Sequence, residues 1–564
     1  MMSEMLLQVD ELAVDFGFIR AVRGVSFSVE KGKTLGIVGE SGSGKSTLLW
    51  ALTRLLPDAA TLNSGEVWFD GTDLLRLQPN QLRALRGTRI SYISQDPMTS
   101  LAPGLTIGQQ MTDLLYREPL SKQEKQQRAT NALDWVSMPD PATRMKMYPH
   151  ELSGGQRQRV SIAMALILGP DLVLADEPTT ALDSTLEVEI LNLLRRLQNE
   201  TGCGIVFVTH HLGVVASLCD EVLVMKDGAV RDSGVVRRVF TQPQDNYTKA
   251  LLRCDPARIT EPTRRLPTMA DVLETGTKEK IDPPRRIMAD TAPALKINNL
   301  SVKFTRSGIV PTVLGGWLEE IPAVQNVSFV IRQSETLALI GESGSGKTTI
   351  ARSIMGLIQP DNGQIVLDEQ DMVGANAGDW HTARAKVAMM FQDPAGSLSP
   401  RVSIAKQVIE PLIVHGRKFE ATRERALELL ELVGLDASFA DRYPHELSGG
   451  QARRAGVARA LALSPKLVIA DEPTAGLDVS IQGEVLNLLN SLQDQMGLSI
   501  LLITHNMSVV RHVADRIIVM LKGQVVESGA TAHLFENAQQ DYTRALIAAS
   551  HHPIPNQDIQ KNEM

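Results

Sequence analysis

The sequence predicts an α/β protein built as two copies of one domain in tandem. Landmark residues recur at nearly the same distance. Ser153 returns as Ser448, Asp176 as Asp471, His210 as His505 and Tyr247 as Tyr542, each 295 residues on, and Gly39 returns as Gly341, 302 residues on. Repeats of solenoids are only ~20–50 residues long, so a period of this size marks a duplicated domain. In each copy, continuous apolar runs alternate with helical stretches, the pattern of a buried parallel sheet.

The elements follow in order. Leu35-Gly36-Ile37-Val38 is a short apolar run that enters a Gly-rich turn, and the stretch Ser46 to Leu56 reads as a helix. Leu172 to Ala175 and Ile205 to Val208 are further strands, with Leu337 to Ile340, Leu467 to Ala470 and Ile500 to Ile503 as their second-copy partners. Residues 1–260 form the first domain, 261–293 a linker, 294–550 the second domain and 551–564 a polar tail. The linker carries five prolines, with six Lys/Arg balanced by six Asp/Glu, and little apolar periodicity. Pro311 and the Gly315-Gly316 pair mark a surface loop near 307–320, inserted only in the second copy.

Composition narrows the function classes. The chain has 564 residues, 43% apolar and 22% charged, an ordinary globular balance. A net charge of −8 gives no general reason to expect nucleic-acid binding. Three cysteines without a C-x-x-C pair argue against a disulfide scaffold, a zinc site or an iron–sulfur cluster. Met1 to Asp10 lacks a basic leader, and no run approaches the ~20 apolar residues of a spanning helix.

Two segments fit the phosphate-loop pattern G-x-x-x-x-G-K-[ST]. They are Gly39-Glu40-Ser41-Gly42-Ser43-Gly44-Lys45-Ser46 and Gly341-Glu342-Ser343-Gly344-Ser345-Gly346-Lys347-Thr348. Glycines let the backbone curl its N–H groups inward, and the following helix offers an N-terminus suited to anions. Lys45 and Lys347 would reach the β- and γ-phosphates of a bound nucleotide, Ser46 and Thr348 would ligate Mg²⁺, and Thr47 and Thr349 would complete the expected contacts. A Gly-rich turn can hold a lysine by chance. Two such turns, each between a strand and a helix, argue for a site. Asp176 and Asp471 end strands and suit the Mg²⁺ shell. Glu177 and Glu472 follow them and suit polarising a water.

The segments Leu152-Ser153-Gly154-Gly155-Gln156 and Leu447-Ser448-Gly449-Gly450-Gln451 each begin their serine 23 residues before the metal aspartate. With the phosphate loops, they make the chain resemble the nucleotide-binding domains of ABC proteins over nearly its whole length outside linker and tail. The resemblance implies that Gln95 and Gln392 are Q-loop glutamines, in contact with the metal and the water. It makes Asp183 and Asp478 the D-loop residues, and His210 and His505 the switch histidines. It also implies, in each half, a mostly parallel sheet core, an antiparallel β subdomain and a helical subdomain between Gln95 and Ser153. Two ATP sites would form head to tail, each phosphate loop facing the other copy's signature. Phe16 and Phe304 are candidates to stack on adenine.

Three local features narrow the group: Gln95-Asp96-Pro97 with Ser100-Leu101-Ala102-Pro103, Tyr148-Pro149-His150-Glu151, and Tyr247-Thr248-Lys249-Ala250-Leu251, each repeated in the second copy. They resemble the ATPases of dipeptide, oligopeptide and nickel importers, and the fused form resembles glutathione-, microcin- or opine-type peptide importers. The resemblance implies an ATPase, peripheral on the cytoplasmic face of the inner membrane. Its partners would be two multi-span permeases and a solute-binding protein, with no nucleic acid. The patch Gln110 to Leu115 is a candidate to receive a permease helix. Many members of the group carry a cysteine cluster after the tyrosine motif; only Cys254 lies there, so no iron–sulfur cluster is expected. A twin-domain sugar importer and a ribosome-associated ABC translation factor are the alternatives. The tyrosine motifs argue against the first, and the short, balanced linker against the second.

Overall fold

The computed structural model describes residues 5–96, 100–179, 182–259, 261–275, 293–307, 318–391, 396–419 and 422–550. The chain divides into two compact units, one ending at Asp255 and the other running from Pro256 to Ser550.

In the first unit, β1 (Met5–Phe16), β2 (Ile19–Glu30), β4 (Ala60–Phe69) and β5 (Thr72–Asp73) form an antiparallel sheet in the order β2-β1-β4-β5. The second sheet contains β3 (Thr34–Val38), β6 (Ile90–Ile93), β7 (Leu172–Asp176), β8 (Gly204–Val208), β9 (Glu221–Lys226) and β10 (Ala229–Val235), in the order β10-β9-β3-β8-β7-β6. All its pairings are parallel except β9 with β10.

The core strands are buried on both faces, as their unbroken apolar runs require. Leu172, Leu174, Val206 and Val208 pack into the core shared with the antiparallel sheet. Val173, Ala175, Ile205 and Phe207 pack into the opposite core, with the helical region of residues 100–167. This placement brings the C-terminal ends of β3, β8 and β7 side by side, where ligands bind in open α/β sheets.

The second unit repeats the plan with β11 (Pro293–Ser307), β12 (Leu318–Arg332), β13 (Thr336–Gly341), β14 (Asn362–Leu367), β15 (Gln370–Asp371), β16 (Val387–Met390), β17 (Leu467–Asp471), β18 (Ser499–Ile503), β19 (Arg516–Leu521) and β20 (Gln524–Ala530). The sheet orders are β12-β11-β14-β15 and β16-β17-β18-β13-β19-β20, matching the first unit strand for strand.

One expectation changes. The segment expected to be a linker from residue 261 is a docked strap at its start. Asn487 donates to the Leu266 carbonyl at 2.7 Å and accepts from the Leu266 N–H at 2.8 Å, and Asn490 donates to the Arg264 carbonyl at 2.7 Å. Leu266 is fully buried against Leu486 and Val509, and a short helix, Met269–Thr275, follows. Side-chain amides on one helix satisfy the strap backbone, so it needs no apolar period of its own. The remainder, 276–292, lies outside the described residues, as do 308–317 of the inserted loop and the tail 551–564.

Within the patch Gln110 to Leu115, Gln110, Met111 and Leu115 face the core while Asp113 is exposed. The Gln110 side chain accepts from the Ala102 N–H at 2.8 Å and donates to the Ala102 and Leu105 carbonyls, both at 3.0 Å. Met111 and Leu115 are buried. Gln407 makes the same three bonds in the second unit. The Ser-Leu-Ala-Pro motif is thus a loop closed by a glutamine, with Leu101 as its buried anchor.

Asn487→Ala is expected to release the strap, because it leaves both the N–H and the carbonyl of Leu266 without their partner, at a cost of about 1–3 kcal/mol. Limited proteolysis checks this. Cleavage within 261–275 should accelerate, and an unchanged rate would show that the amide pair does not hold the strap.

Candidate active site

Each phosphate loop begins where a central strand ends. At Gly39 an added Cβ would lie 2.2 Å from the Met225 carbonyl oxygen, and at Gly341 2.2 Å from that of Met520. No other residue fits there, and the constraint repeats in both copies. The loop lysines fold back into their own loops. Lys45 Nζ donates to the Gly39 and Glu40 carbonyls at 2.7 and 2.8 Å, and Lys347 Nζ to those of Gly341 and Glu342 at 2.6 and 2.7 Å. Gly44 and Gly346 sit at the helix N-caps with φ of 97° and 100°, which glycine alone adopts without strain.

The hydroxyl and carboxylate expected around a metal do meet. Ser46 Oγ donates to Asp176 Oδ1 at 3.1 Å, and Thr348 Oγ1 to Asp471 Oδ2 at 3.3 Å. Burial pushes the Asp176 carboxyl above its ordinary range, against hydrogen bonds from Tyr92 and Ser46. Burial and the neighbouring Glu472 do the same to Asp471. These hard oxygen donors, in a setting that disfavours a lone negative charge, fit Mg²⁺.

The adjacent glutamates take a costly conformation. Glu177 and Glu472 have φ of 45° and 50°, a region that non-glycine residues rarely occupy. Both are pinned to the next strand, Glu177 N–H donating to the Val208 carbonyl at 3.0 Å and Glu472 N–H to that of Ile503 at 2.8 Å. The turn aims each carboxylate at its histidine. His210 Nδ1 lies 3.2 Å from Glu177 Oε2, and His505 Nδ1 2.8 Å from Glu472 Oε1. Gln95 donates to Glu177 at 3.1 Å, which gathers glutamine, glutamate and histidine in the first unit. Gln392 lies outside the described residues.

The signature serines cap helices. Ser153 Oγ accepts from the Gln156 N–H at 3.3 Å while Gln156 accepts from the Ser153 N–H at 3.1 Å, and Ser448 and Gln451 do the same at 3.3 and 2.9 Å. This capping box leaves the N–H groups of Gly154 and Gly155, and of Gly449 and Gly450, at a positive helix end. Asp183 caps the helix Ser184–Thr201 through the Leu186 N–H, whereas Asp478 makes no such cap. Phe16 packs at the edge of the core, and Phe304 is exposed.

Several contributors carry no sequence motif. Tyr92 donates to Asp176 Oδ2 at 2.8 Å and accepts from Trp50 Nε1 at 3.0 Å. Met389 and Arg352 hold the equivalent places in the second copy. The tail tyrosines, visible only as a subfamily motif, support the loops directly. The Glu40 N–H donates to Tyr247 Oη at 3.3 Å, and the Glu342 N–H to Tyr542 Oη at 3.0 Å. Gln158 donates to the Pro178 carbonyl at 2.6 Å, and Arg453 to that of Pro473, which ties each signature helix to the turn after its glutamate.

A family model described as ABC transporter matches residues 22–180 and 324–475. The chain is 43% identical over 544 residues to the glutathione import ATP-binding protein GsiA of Shigella dysenteriae serotype 1, covering 94% of this chain and 86% of that protein. It is 43% identical over 548 residues to the protein of the same name in Escherichia coli K12, with the same coverage. A dimeric, post-hydrolysis ATP-binding cassette solved with ADP and Pi is 31% identical, with a TM-score of 0.38 over 42% of this chain and 98% of that one.

Tyr542→Phe removes the acceptor of the Glu342 N–H. The expected result is weaker ATP binding in the second half by about two- to tenfold, the range of one hydrogen bond. Titration with a fluorescent ATP analogue, with the first phosphate loop disabled by Lys45→Ala, reads it. An unchanged affinity would make the tyrosine a packing residue only.

Proposed function

The chain belongs to the ABC transporter family, and we propose that it is the ATP-hydrolysing subunit that drives uptake of peptides or peptide-like solutes through a membrane importer. The observation that carries this is the presence, in one chain, of two full sets of phosphate loop, paired acids, histidine and signature, in a protein aligned over most of its length with import ATPases.

ATP would bind with its β- and γ-phosphates at the loop N–H groups and at Lys45 or Lys347, whose ammonium groups turn from the loop carbonyls to the phosphates. Mg²⁺, when bound, neutralises phosphate charge; Ser46 with Asp176 and Thr348 with Asp471 would hold it, joined by Gln95 and Gln392. Glu177 and Glu472 would accept a proton from the attacking water. His210 and His505, each already hydrogen-bonded to its glutamate, would fix that carboxylate relative to the γ-phosphate. The helix N-termini at Ser153 and Ser448 would meet the γ-phosphate bound by the opposite copy. ATP then favours the closed pair and hydrolysis releases it.

Among the described residues no helix is long and apolar enough to cross a membrane. Two multi-span permeases would therefore anchor the protein at the cytoplasmic face of the inner membrane, with a solute-binding protein delivering cargo. Beside the patch Gln110 to Leu115, a second candidate permease seat is the groove in the second unit lined by Met389, Phe391, Pro411, Val414 and Ala460. Phe391 and Val414 are exposed there, with Arg459 and Glu410 at hand for a helix with a polar edge.

Glu177→Gln with Glu472→Gln should bind ATP and lose turnover by about a hundredfold or more, the scale of a lost general base. Captured with ATP from membranes of the native host, this variant should retain two multi-span proteins and a solute-binding protein by mass spectrometry. Ribosomal subunits instead would overturn the importer reading. Ser153→Arg should impair the site of Lys347 more than that of Lys45, read by photo-crosslinked ATP on each half. The reverse pattern would rule out the head-to-tail arrangement.

A further inference from the structure

The two switch histidines stand in different surroundings. His210 has a side chain 6% exposed, against 34% for His505. In the first unit the ring of His211 packs edge-on against His210, with centroids 4.4 Å apart and planes at 86°. His211 Nδ1 also lies 3.4 Å from Glu187 Oε1. Glu187 sits in the first turn of the helix Ser184–Thr201 and is itself buried. In the second copy, Asn506 stands at the place of His211 and Gln482 at that of Glu187, each 295 residues on.

The exchange changes what each side chain does. Asn506 caps the helix Met507–Val513, accepting from the Val509 N–H at 3.2 Å. Asparagine is among the best residues for that position. His211 stands at the N-cap of the matching helix, Leu212–Leu218, and makes no side-chain cap. Its ring is committed to Glu187 and His210 instead. Gln482 turns to its own chain, donating to the Leu477 carbonyl at 2.8 Å. The first unit thus has a carboxylate–imidazole pair braced against its switch histidine, and the second has two neutral amides turned to the backbone.

We propose that His211, held by Glu187, is a positioning residue that orients His210 in the first ATP site, and that this gives the first site a pH response the second lacks. The inference rests on the reading of His210 as the residue that fixes the glutamate and the γ-phosphate. The charged groups facing His211 are Glu187, Asp255 and Glu177. Burial disfavours the imidazolium, but Glu187 first, then Asp255 and Glu177, outweigh it and hold His211 above its ordinary value of 6.5. The pair is therefore intact below the ordinary histidine value and is lost as pH rises through the raised one. Positioning of His210 fails on the alkaline side.

The test is the pH profile of steady-state ATP hydrolysis by the full chain. The wild type should show an alkaline decline of up to about twofold, since a partly exposed ion pair in one of the two sites can lower that site's share alone. His211→Asn should flatten that decline while ATP affinity at neutral pH is retained; an unchanged profile overturns the proposal. Should His211→Asn fail to fold, Glu187→Gln keeps the imidazole and removes its partner, and must flatten the same limb; persistence of the limb is equally fatal. Transplanting the pair with Gln482→Glu and Asn506→His should deepen the decline, and no deepening counts against the pair as its source. His210→Ala separates the two readings. Full turnover in that variant defeats the assignment of the site itself, whereas loss of turnover together with an unaltered His211→Asn profile defeats only the positioning role.

Discussion

The site depends on one close approach, the backbone of the first loop residue against a neighbouring strand. A side chain at Gly39 or Gly341 would collide with the carbonyl of Met225 or Met520. That contact sets the loop directly over the end of the parallel sheet, and the other parts follow from it. The next strand in the sheet ends two residues before the histidine, and the strand beyond it ends at the aspartate. Neighbouring strands in a sheet lie less than 5 Å apart. Three strand ends therefore bring phosphate loop, acid pair and histidine within reach of one triphosphate.

The backbone of the glutamates shows the same economy. Their left-handed conformation is fixed by a main-chain bond to the adjacent strand. Such strain persists where the surroundings over-determine it. Here it turns the carboxylate away from the sheet and toward the imidazole, so hydrogen bonding around the glutamate is settled before substrate arrives.

Much of this was legible in the sequence because it is written locally. Glycine spacing, a lysine after the last glycine, an acid pair after an apolar run and a serine three residues before a glutamine all reflect backbone geometry within a few residues. The strand runs were legible because burial on both faces leaves no polar alternation. What escaped was written across distance. Tyr92 reaches Asp176 from a separate strand, and Tyr247 and Tyr542 reach the phosphate loops from the far end of each copy. Gln110 looked like part of an outward patch, but a glutamine buried against a loop backbone has no periodic signature. The duplication itself concealed differences. Aligned landmarks said that the copies match, while Trp50 and Tyr92 had become Arg352 and Met389 around the corresponding aspartates.

The strap bears on how such a gene could be divided. Composition places the seam in the proline-rich stretch after residue 260, and a fission there would yield two open reading frames of similar size. Leu266 fills a hollow between Leu486 and Val509, and its backbone completes the amide of Asn487. A downstream frame beginning at residue 294 would inherit an uncovered apolar pit and a row of amides without their peptide. The natural point of fission is Pro256, ahead of the whole proline-rich stretch, and a lineage that separates these halves into two genes has to cut there or evolve a substitute for the missing segment.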